Sequence, residues 1–379
     1  MTEGTGRRSI THQHRIEYEI VNAPDLFHPQ NRALVSVGRI ENARRFVVVD
    51  ENVGMHYAAD IRNYFDHQRM EAKIVTFPGG EENKTVESFL AIAHELDSFP
   101  IHRRDEPIIA IGGGVLTDVV GFVAGSYRRG VPHIKVPTTL MGYIDASIGI
   151  KTGVNFNGNK NRLGVFHPPQ KVLLDKSLLR TLPKRHILNG VCEIIKLAII
   201  KDAELFHMLE ADGVQSVDAQ FQTPEGGAIL DRAIEGMLEE LMPNLFEDEL
   251  ARKVDFGHTF SYGLETRHTD SLFHGEAVLL DIIVSTLIAS SRTLISDEET
   301  GRIFHLIGRL GITADTTTLD PHLLWQSLEE RTYHRNGLQN APLPHGLGGC
   351  VFANDIRLHE IESALKIIGD WMAVPHENI

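Results

Sequence analysis

Pro107-Ile108-Ile109-Ala110-Ile111 runs without a polar residue into Gly112-Gly113-Gly114-Val115-Leu116-Thr117-Asp118. A short apolar run ending in consecutive glycines predicts a buried strand that turns straight into a helix. Lacking Cβ atoms, such glycines let a phosphate approach the backbone N–H groups at the helix start. The spacing is not GxGxxG, and three glycines alone also suit a plain tight turn.

Upstream the same grammar repeats. Phe46-Val47-Val48-Val49-Asp50 reads as a second strand, followed by a helical segment through Arg62 to Met70. Ala72 to Phe77 reads as a strand and Val86 to Leu96 as a helix. Strands alternating with helices imply a Rossmann-like α/β domain whose parallel sheet binds ligands at its strand ends. Asp50, with Asn52 beside it, stands where an acid usually holds a ribose hydroxyl. The turn Pro78-Gly79-Gly80-Glu81-Glu82-Asn83-Lys84-Thr85 brings Glu81 and a lysine suited to a pyrophosphate. Pro137-Thr138-Thr139-Leu140 offers two hydroxyls after a further strand. Together with Gly113, Gly114, Val115 and Asp118, these residues make a dinucleotide site the expectation.

From about Pro183 the pattern turns helical, with amphipathic segments near Ile187–Ile200, Ala228–Glu240 and Glu276–Thr293. The reading is therefore two domains, 1–182 α/β and 183–379 all-α, with Gln222 to Gly227 as a loop between helices. Ala277 to Ala289, interrupted by Asp281 and Ser285, reads as a buried helix too short to span a membrane.

The 379 residues carry a net charge of -14, which argues against a nucleic-acid or anionic-membrane partner. Two cysteines, Cys192 and Cys350, exclude a disulfide framework and point to a reducing, cytoplasmic setting. The start of the chain has a basic pair but no apolar run behind it, unlike a signal peptide.

In the helical half, Asp255-Phe256-Gly257-His258-Thr259 is followed by His274-Gly275-Glu276-Ala277-Val278, and Glu193-Ile194-Ile195-Lys196 lies upstream. Two imidazoles and one carboxylate make an open, zinc-type site that leaves a coordination position for substrate oxygens. With 20 histidines in the chain, most are bystanders, and His167, His186 and His207 are placed in that class. Glu276 reads as a helix-start or supporting residue, and Glu239-Glu240 and Glu247-Asp248-Glu249 as solvated faces.

The ordered motifs GGGVLTDVVGF (112–122), PTTLMGYIDASIGIKTGVN (137–155), KNRLGVFHPP (160–169), GVCEIIK (190–196), DFGHTF (255–260) and HGEAV (274–278) resemble the sugar phosphate cyclases, the family of dehydroquinate synthase. The resemblance implies NAD as cofactor, with Glu193, His258 and His274 holding one zinc or cobalt ion. It places Asp145, Lys151, Lys160, Asn161, Lys196 and Arg252 around the substrate. It also suggests a homodimer in which Arg129 reaches the neighbouring subunit's phosphate site. The implied reaction is transient oxidation by NAD, phosphate elimination, return of the hydride and intramolecular aldol closure.

Departures from dehydroquinate synthase bear on the substrate. Asp255 replaces an asparagine and Tyr262 a histidine in that enzyme's N-F-G-H-T-x-G-H run. Met237 to Leu245 contains no lysine where the family binds substrate with one, and Pro342 to Gly346 lacks a basic residue. Lost cations suit a substrate without a carboxylate. The Glu240-Leu241-Met242-Pro243-Asn244-Leu245 run and the Gly349 to Asp355 tail resemble the sedoheptulose 7-phosphate cyclases, which make C7 cyclitols: 2-epi-5-epi-valiolone, 2-epi-valiolone or desmethyl-4-deoxygadusol. Tyr262 and Glu276, where many members carry proline and histidine, are candidates for steering product stereochemistry. Dehydroquinate synthase, a metal-dependent polyol dehydrogenase and an NAD-binding regulatory paralogue are the alternatives.

Overall fold

The structure, a computed structural model, describes residues 8–13, 15–36, 44–268 and 271–372. Residues 1–7, part of the segment read for a targeting signal, lie outside the described residues.

The α/β half contains β1 (Glu19–Asn22), β2 (Arg45–Asp50), α1 (Glu51–His67), β3 (Ala72–Phe77), α2 (Val86–Asp97), β4 (Ile108–Gly112), α3 (Gly114–Ser126) and β5 (His133–Pro137). A hairpin of β6 (Lys151–Phe156) and β7 (Asn159–Phe166) precedes β8 (Lys171–Leu174). Six parallel strands are ordered β1-β8-β5-β4-β2-β3. Chain order reverses at β2, with β3 on one side and β4 on the other. The carboxyl ends there open the crevice expected of such sheets.

Alternation along β2 shows how both faces are covered. Val47 and Val49 pack under α1 with Ile61, Tyr64 and Phe65, while Phe46 and Val48 pack toward α2 and α3 with Leu96, Val119 and Val123. The helix after β2 begins at Glu51, well before Arg62, and ends at His67. Asp50 both closes the strand and caps the helix, accepting from Asn52 N at 2.9 Å.

The helical half comprises α4 (Lys184–Ile200), α5 (Ala203–Asp218), α6 (Pro224–Leu241), α7 (Ser261–Arg267), α8 (His274–Ser291), α9 (Asp297–Arg309) and α10 (Pro321–Tyr333). A short antiparallel pair, β9 (Ala341–Pro344) and β10 (Cys350–Ala353), precedes α11 (Leu358–Met372). The presumed loop before α6 is shorter than the sequence suggests. Thr223 caps Gly226 N at 3.0 Å and Pro224 occupies the first turn, so Glu225 to Gly227 are already helical.

At 18 residues α8 is long and apolar enough to cross a membrane, contrary to the sequence reading, yet 72% of it is buried inside the protein. It packs against α4 at the centre of the helical core.

Candidate active site

The metal-type cluster is built by the α4–α8 contact and the loop before α7. Glu193 lies on α4, His274 opens α8, and His258 precedes α7. His258 Nε2 and His274 Nε2 stand 3.6 and 3.4 Å from Glu193 Oε1, and the two rings stack with centroids 5.4 Å apart. One donor atom from each of the three lies within 4.8 Å of the others. Both Glu193 oxygens are buried without a hydrogen-bond partner in good geometry. A fully buried carboxylate in that state, facing two imidazoles, has the donor chemistry and aim of a divalent-cation site.

Glycines make the approach possible. A Cβ on Gly275 would fall 2.0 Å from the Asn189 carbonyl of α4, and one on Gly257, at φ +78°, would press on Val278 of α8 at 2.8 Å. The segments bearing His258 and His274 therefore lie flat against neighbouring helices.

The electrostatics divide the histidines. Burial and the Lys196 ammonium push His258 down to about 3, leaving a neutral ring with a free lone pair. Burial also opposes charge on His274, but Glu265 and Glu193 raise it to about 10. Glu193 is held well below the usual carboxylate range because Lys196 and the histidines outweigh its burial. Lys196 is 1% exposed, contacts the Glu193 carboxylate and lies 3.5 Å from His258 Nε2.

A continuous cleft of about 1930 Å³ joins this cluster to the sheet. Its walls include Asp50, Asn52, Glu81, Lys84, Gly113, Gly114, Val115, Asp118, Thr138 and Thr139 on the sheet side. A Cβ at Gly113 would meet Thr139 at 2.9 Å, and one at Gly79 would meet Asn52 Nδ2 at 2.7 Å. The two turns thus offer bare backbone beside Asp50 and α3. Lys84, 5% exposed, pairs with Asp118 at 2.7 Å; Asp118 and Glu81 keep it charged despite burial. Leu140 departs from this group. Its side chain is fully buried against Gly190 of α4, where an added Cβ would come within 2.6 Å, so it is a core residue.

Asp145, Lys151, Lys160, Asn161, Arg252 and Asp255 line the same cleft. Asp145 sits in a π-helical turn, Gly142–Ala146, whose last carbonyl accepts from buried Lys135 at 3.2 Å. Burial and Glu193 raise Asp145. Lys160 and Asn161 are carried by the β6–β7 hairpin. Lys160 donates to Glu265 at 2.8 Å, and the Asn161 backbone N–H donates to Asn155 Oδ1 at 2.9 Å.

Three groups escaped the sequence reading. Arg331 and Arg335 line the cleft and both contact Asp255, Arg331 at 3.3 Å. Glu247 is no solvated acid; it binds Lys151 at 2.8 Å and Arg252 at the cleft wall. Glu265 joins Lys160 to His274. Cations are therefore present here, and Asp255 and Glu247 offset part of their charge: Asp255 is held well below its ordinary value by Arg331, Arg252 and Arg335 despite burial. No motif spacing signals the pairs Arg331–Asp255, Arg335–Asp255 and Lys160–Glu265, which are separated by 76, 80 and 105 positions.

Tyr262 donates to Asn159 on the hairpin at 3.3 Å. The Glu276 carboxylate accepts from Phe273 N at 2.9 Å and from Arg185 at 2.7 Å, fixing the start of α8. Of the bystander histidines, His186 also reaches the cleft wall. Arg129 is exposed in a turn outside the residues that line the cleft.

Residues 74–189 match the model for the 3-dehydroquinate synthase N-terminal domain, and residues 190–331 match that for its C-terminal domain. The chain belongs to the dehydroquinate synthase family. It is 46% identical over 363 residues to 2-epi-5-epi-valiolone synthase of Streptomyces albus, covering 94% of this chain and 88% of that one. Demethyl-4-deoxygadusol synthase of Trichormus variabilis is 40% identical, over 93% of this chain and 87% of its own. Among solved structures, ValA, the 2-epi-5-epi-valiolone synthase of Streptomyces hygroscopicus subsp. jinggangensis 5008 with NAD+ and Zn2+ bound, superposes with a TM-score of 0.93. That match has 40% identity and covers 96% of this chain and all of that one.

Proposed function

We propose that this family member is a sedoheptulose 7-phosphate cyclase that forms 2-epi-5-epi-valiolone with loss of phosphate. The observation that carries the reading is one cleft whose walls hold a dinucleotide-type turn, a three-donor metal-type cluster and a set of lysines and arginines paired with carboxylates. Valiolone synthases that match over nearly the whole chain support the product; the Trichormus relative makes desmethyl-4-deoxygadusol synthase the alternative.

A dinucleotide at the ends of β2 and β4 would take up and return a hydride, and a divalent ion on Glu193, His258 and His274 would lower the cost of ionising a substrate hydroxyl. Asp50 and Asn52 suit a ribose, while the N–H groups opening α3 and the Lys84 ammonium suit a pyrophosphate. Lys196, charged and next to the metal cluster, can hold an anionic oxygen on a substrate carbon. Lys151, Lys160, Asn161 and Arg252 face the same space from the hairpin and the α7 side and can receive the phosphate. A prearranged cleft keeps an open-chain intermediate folded for ring closure. Among the described residues, Lys151, Arg252, Arg331 and Arg335 share only the two carboxylates Asp255 and Glu247, so an excess of positive charge remains that suits the substrate's phosphate.

Tyr262, which links α7 to the hairpin, is the residue we assign to stereochemical steering, because Glu276 is occupied by Phe273 and Arg185. We further place the enzyme in the cytoplasm, on its two free cysteines, and assign a homodimer with Arg129 serving the partner's phosphate site.

Phosphate release by purified protein with catalytic NAD and a divalent ion tests the reaction. Release from sedoheptulose 7-phosphate without net NADH, and a 2-epi-5-epi-valiolone NMR spectrum, is expected. Release only from the carboxylated heptulosonate phosphate would return the chain to dehydroquinate synthesis. Stoichiometric NADH would mark a dehydrogenase.

A further inference from the structure

Helix α7 is only seven residues long, yet it presents one face to both histidines of the metal cluster. Ser261 Oγ stands 3.4 Å from His258 Nδ1, and Glu265 Oε2 stands 3.0 Å from His274 Nδ1. The two positions are one helical turn apart and therefore share a face. With Nδ1 hydrogens directed at these oxygens, both Nε2 atoms face Glu193, and a metal ion there would displace the second proton of the charged His274 ring. Glu265 has a second partner, the Lys160 ammonium at 2.8 Å, delivered by the β6–β7 hairpin, and Lys160 lies 3.8 Å from Glu81 beside the dinucleotide turn.

We infer that Glu265 is a positioning residue that sets the tautomer and orientation of His274 for metal binding and, through the same carboxylate, couples the metal centre to Lys160 on the hairpin. This rests on the metal-dependent reading above. A carboxylate on the far nitrogen of a metal-bound imidazole raises the basicity of the ligand and fixes its ring. Lys160 draws charge from that carboxylate, so the strength of the Glu265–His274 bond depends on where the hairpin lysine sits. A substrate oxyanion that draws Lys160 toward itself would free Glu265 to hold His274 more firmly, strengthening the metal site as the substrate binds. The coupling must then run equally in the opposite direction.

The test is cobalt binding by full-length protein, measured by competition with a chromophoric chelator and by the visible cobalt spectrum at saturation. Glu265→Gln is expected to weaken cobalt affinity about 10- to 100-fold and to shift the spectrum. Lys160→Met is expected to tighten binding several-fold in the native background and to change nothing when Gln occupies position 265. Native-like affinity and spectrum in Glu265→Gln would overturn the positioning role. An equal Lys160→Met effect in both backgrounds would overturn the coupling. If Glu265→Gln fails to fold, Lys160→Met alone still decides, because unchanged cobalt affinity sinks the link. These readouts need no turnover, so a chain that binds cobalt as described but releases no phosphate from sedoheptulose 7-phosphate refutes the reaction and not Glu265.

Discussion

Asp281 is a fully buried carboxyl on α8 whose oxygens accept from the N–H groups of Phe260 and Ser261 and, at 2.9 Å, from Ser285 Oγ. It thereby fixes the start of α7 and, with it, the two side chains that face His258 and His274. Burial raises it from 3.8 to about 6, against those hydrogen bonds and Arg331. A folded-state value above the unfolded one means that the native chain binds the proton more tightly. Its stabilising contribution is then complete below pH 4 and disappears as pH rises through 6. Two units correspond to about 3 kcal/mol. Asp281→Asn keeps an acceptor for the backbone donors and removes the titration. The stability difference, native minus variant, should fall by about 3 kcal/mol between pH 4 and 7 in urea unfolding. Parallel pH curves for the two proteins would refute the assignment.

Among the elements, α4 and α8 do the most to shape the site, because their contact sets the distance between Glu193 and His274. Gly275 lets the start of α8 rest on the Asn189 carbonyl, whose side chain also accepts from Gly275 N at 2.5 Å. A methyl group there meets backbone rather than a movable side chain, so the helices must part. Gly275→Ala should cost about 1–3 kcal/mol of stability and weaken metal binding, whereas a similar change at Gly301, with open space around it, should do neither. Thermal unfolding with and without zinc measures both; a variant with native melting and zinc response would show that the helices close without the glycine. These glycines illustrate what the sequence makes legible. His258, His274, Glu193 and the strand-to-glycine turn stand in local patterns that backbone geometry demands, and they can be read from spacing. Glu265, Ser261, Arg331, Arg335 and Glu247 sit in ordinary helical or acidic text and gain meaning only when α7, α10 and the hairpin converge. The start of α1 was hidden for a related reason, since Asp50 serves as strand end, helix cap and cleft wall together.

At the scale of the whole molecule, the cleft is assembled from both halves of the chain, and Arg129, like the core residue Leu140, stands outside it. Arg128 and Arg129 both adopt left-handed backbone conformations, at φ +49° and +61°. Each costs about 1–2 kcal/mol for a residue with a Cβ, a strain that usually persists where function or surrounding structure requires it. The turn is held by its neighbours: Arg128 donates to the Ile101 carbonyl at 3.1 Å, and Arg103 donates to the Arg129 carbonyl at 3.3 Å. The Arg129 side chain is left exposed on a rigid turn, a geometry suited to a neighbouring copy's phosphate site. If it acts in trans, two defective chains can repair each other. On that reading Arg129→Ala lacks the donated arginine and Lys196→Met lacks the lysine proposed to act in its own site. A mixed dimer rebuilds one complete site, with Lys196 from the first chain and Arg129 from the second. Co-expression with random pairing should restore about a quarter of native activity, since half the dimers are mixed and each has one working site of two. Each variant expressed alone should stay nearly inactive. Activity in the co-expressed pool no greater than the mean of the separate variants would place Arg129 outside the neighbour's site.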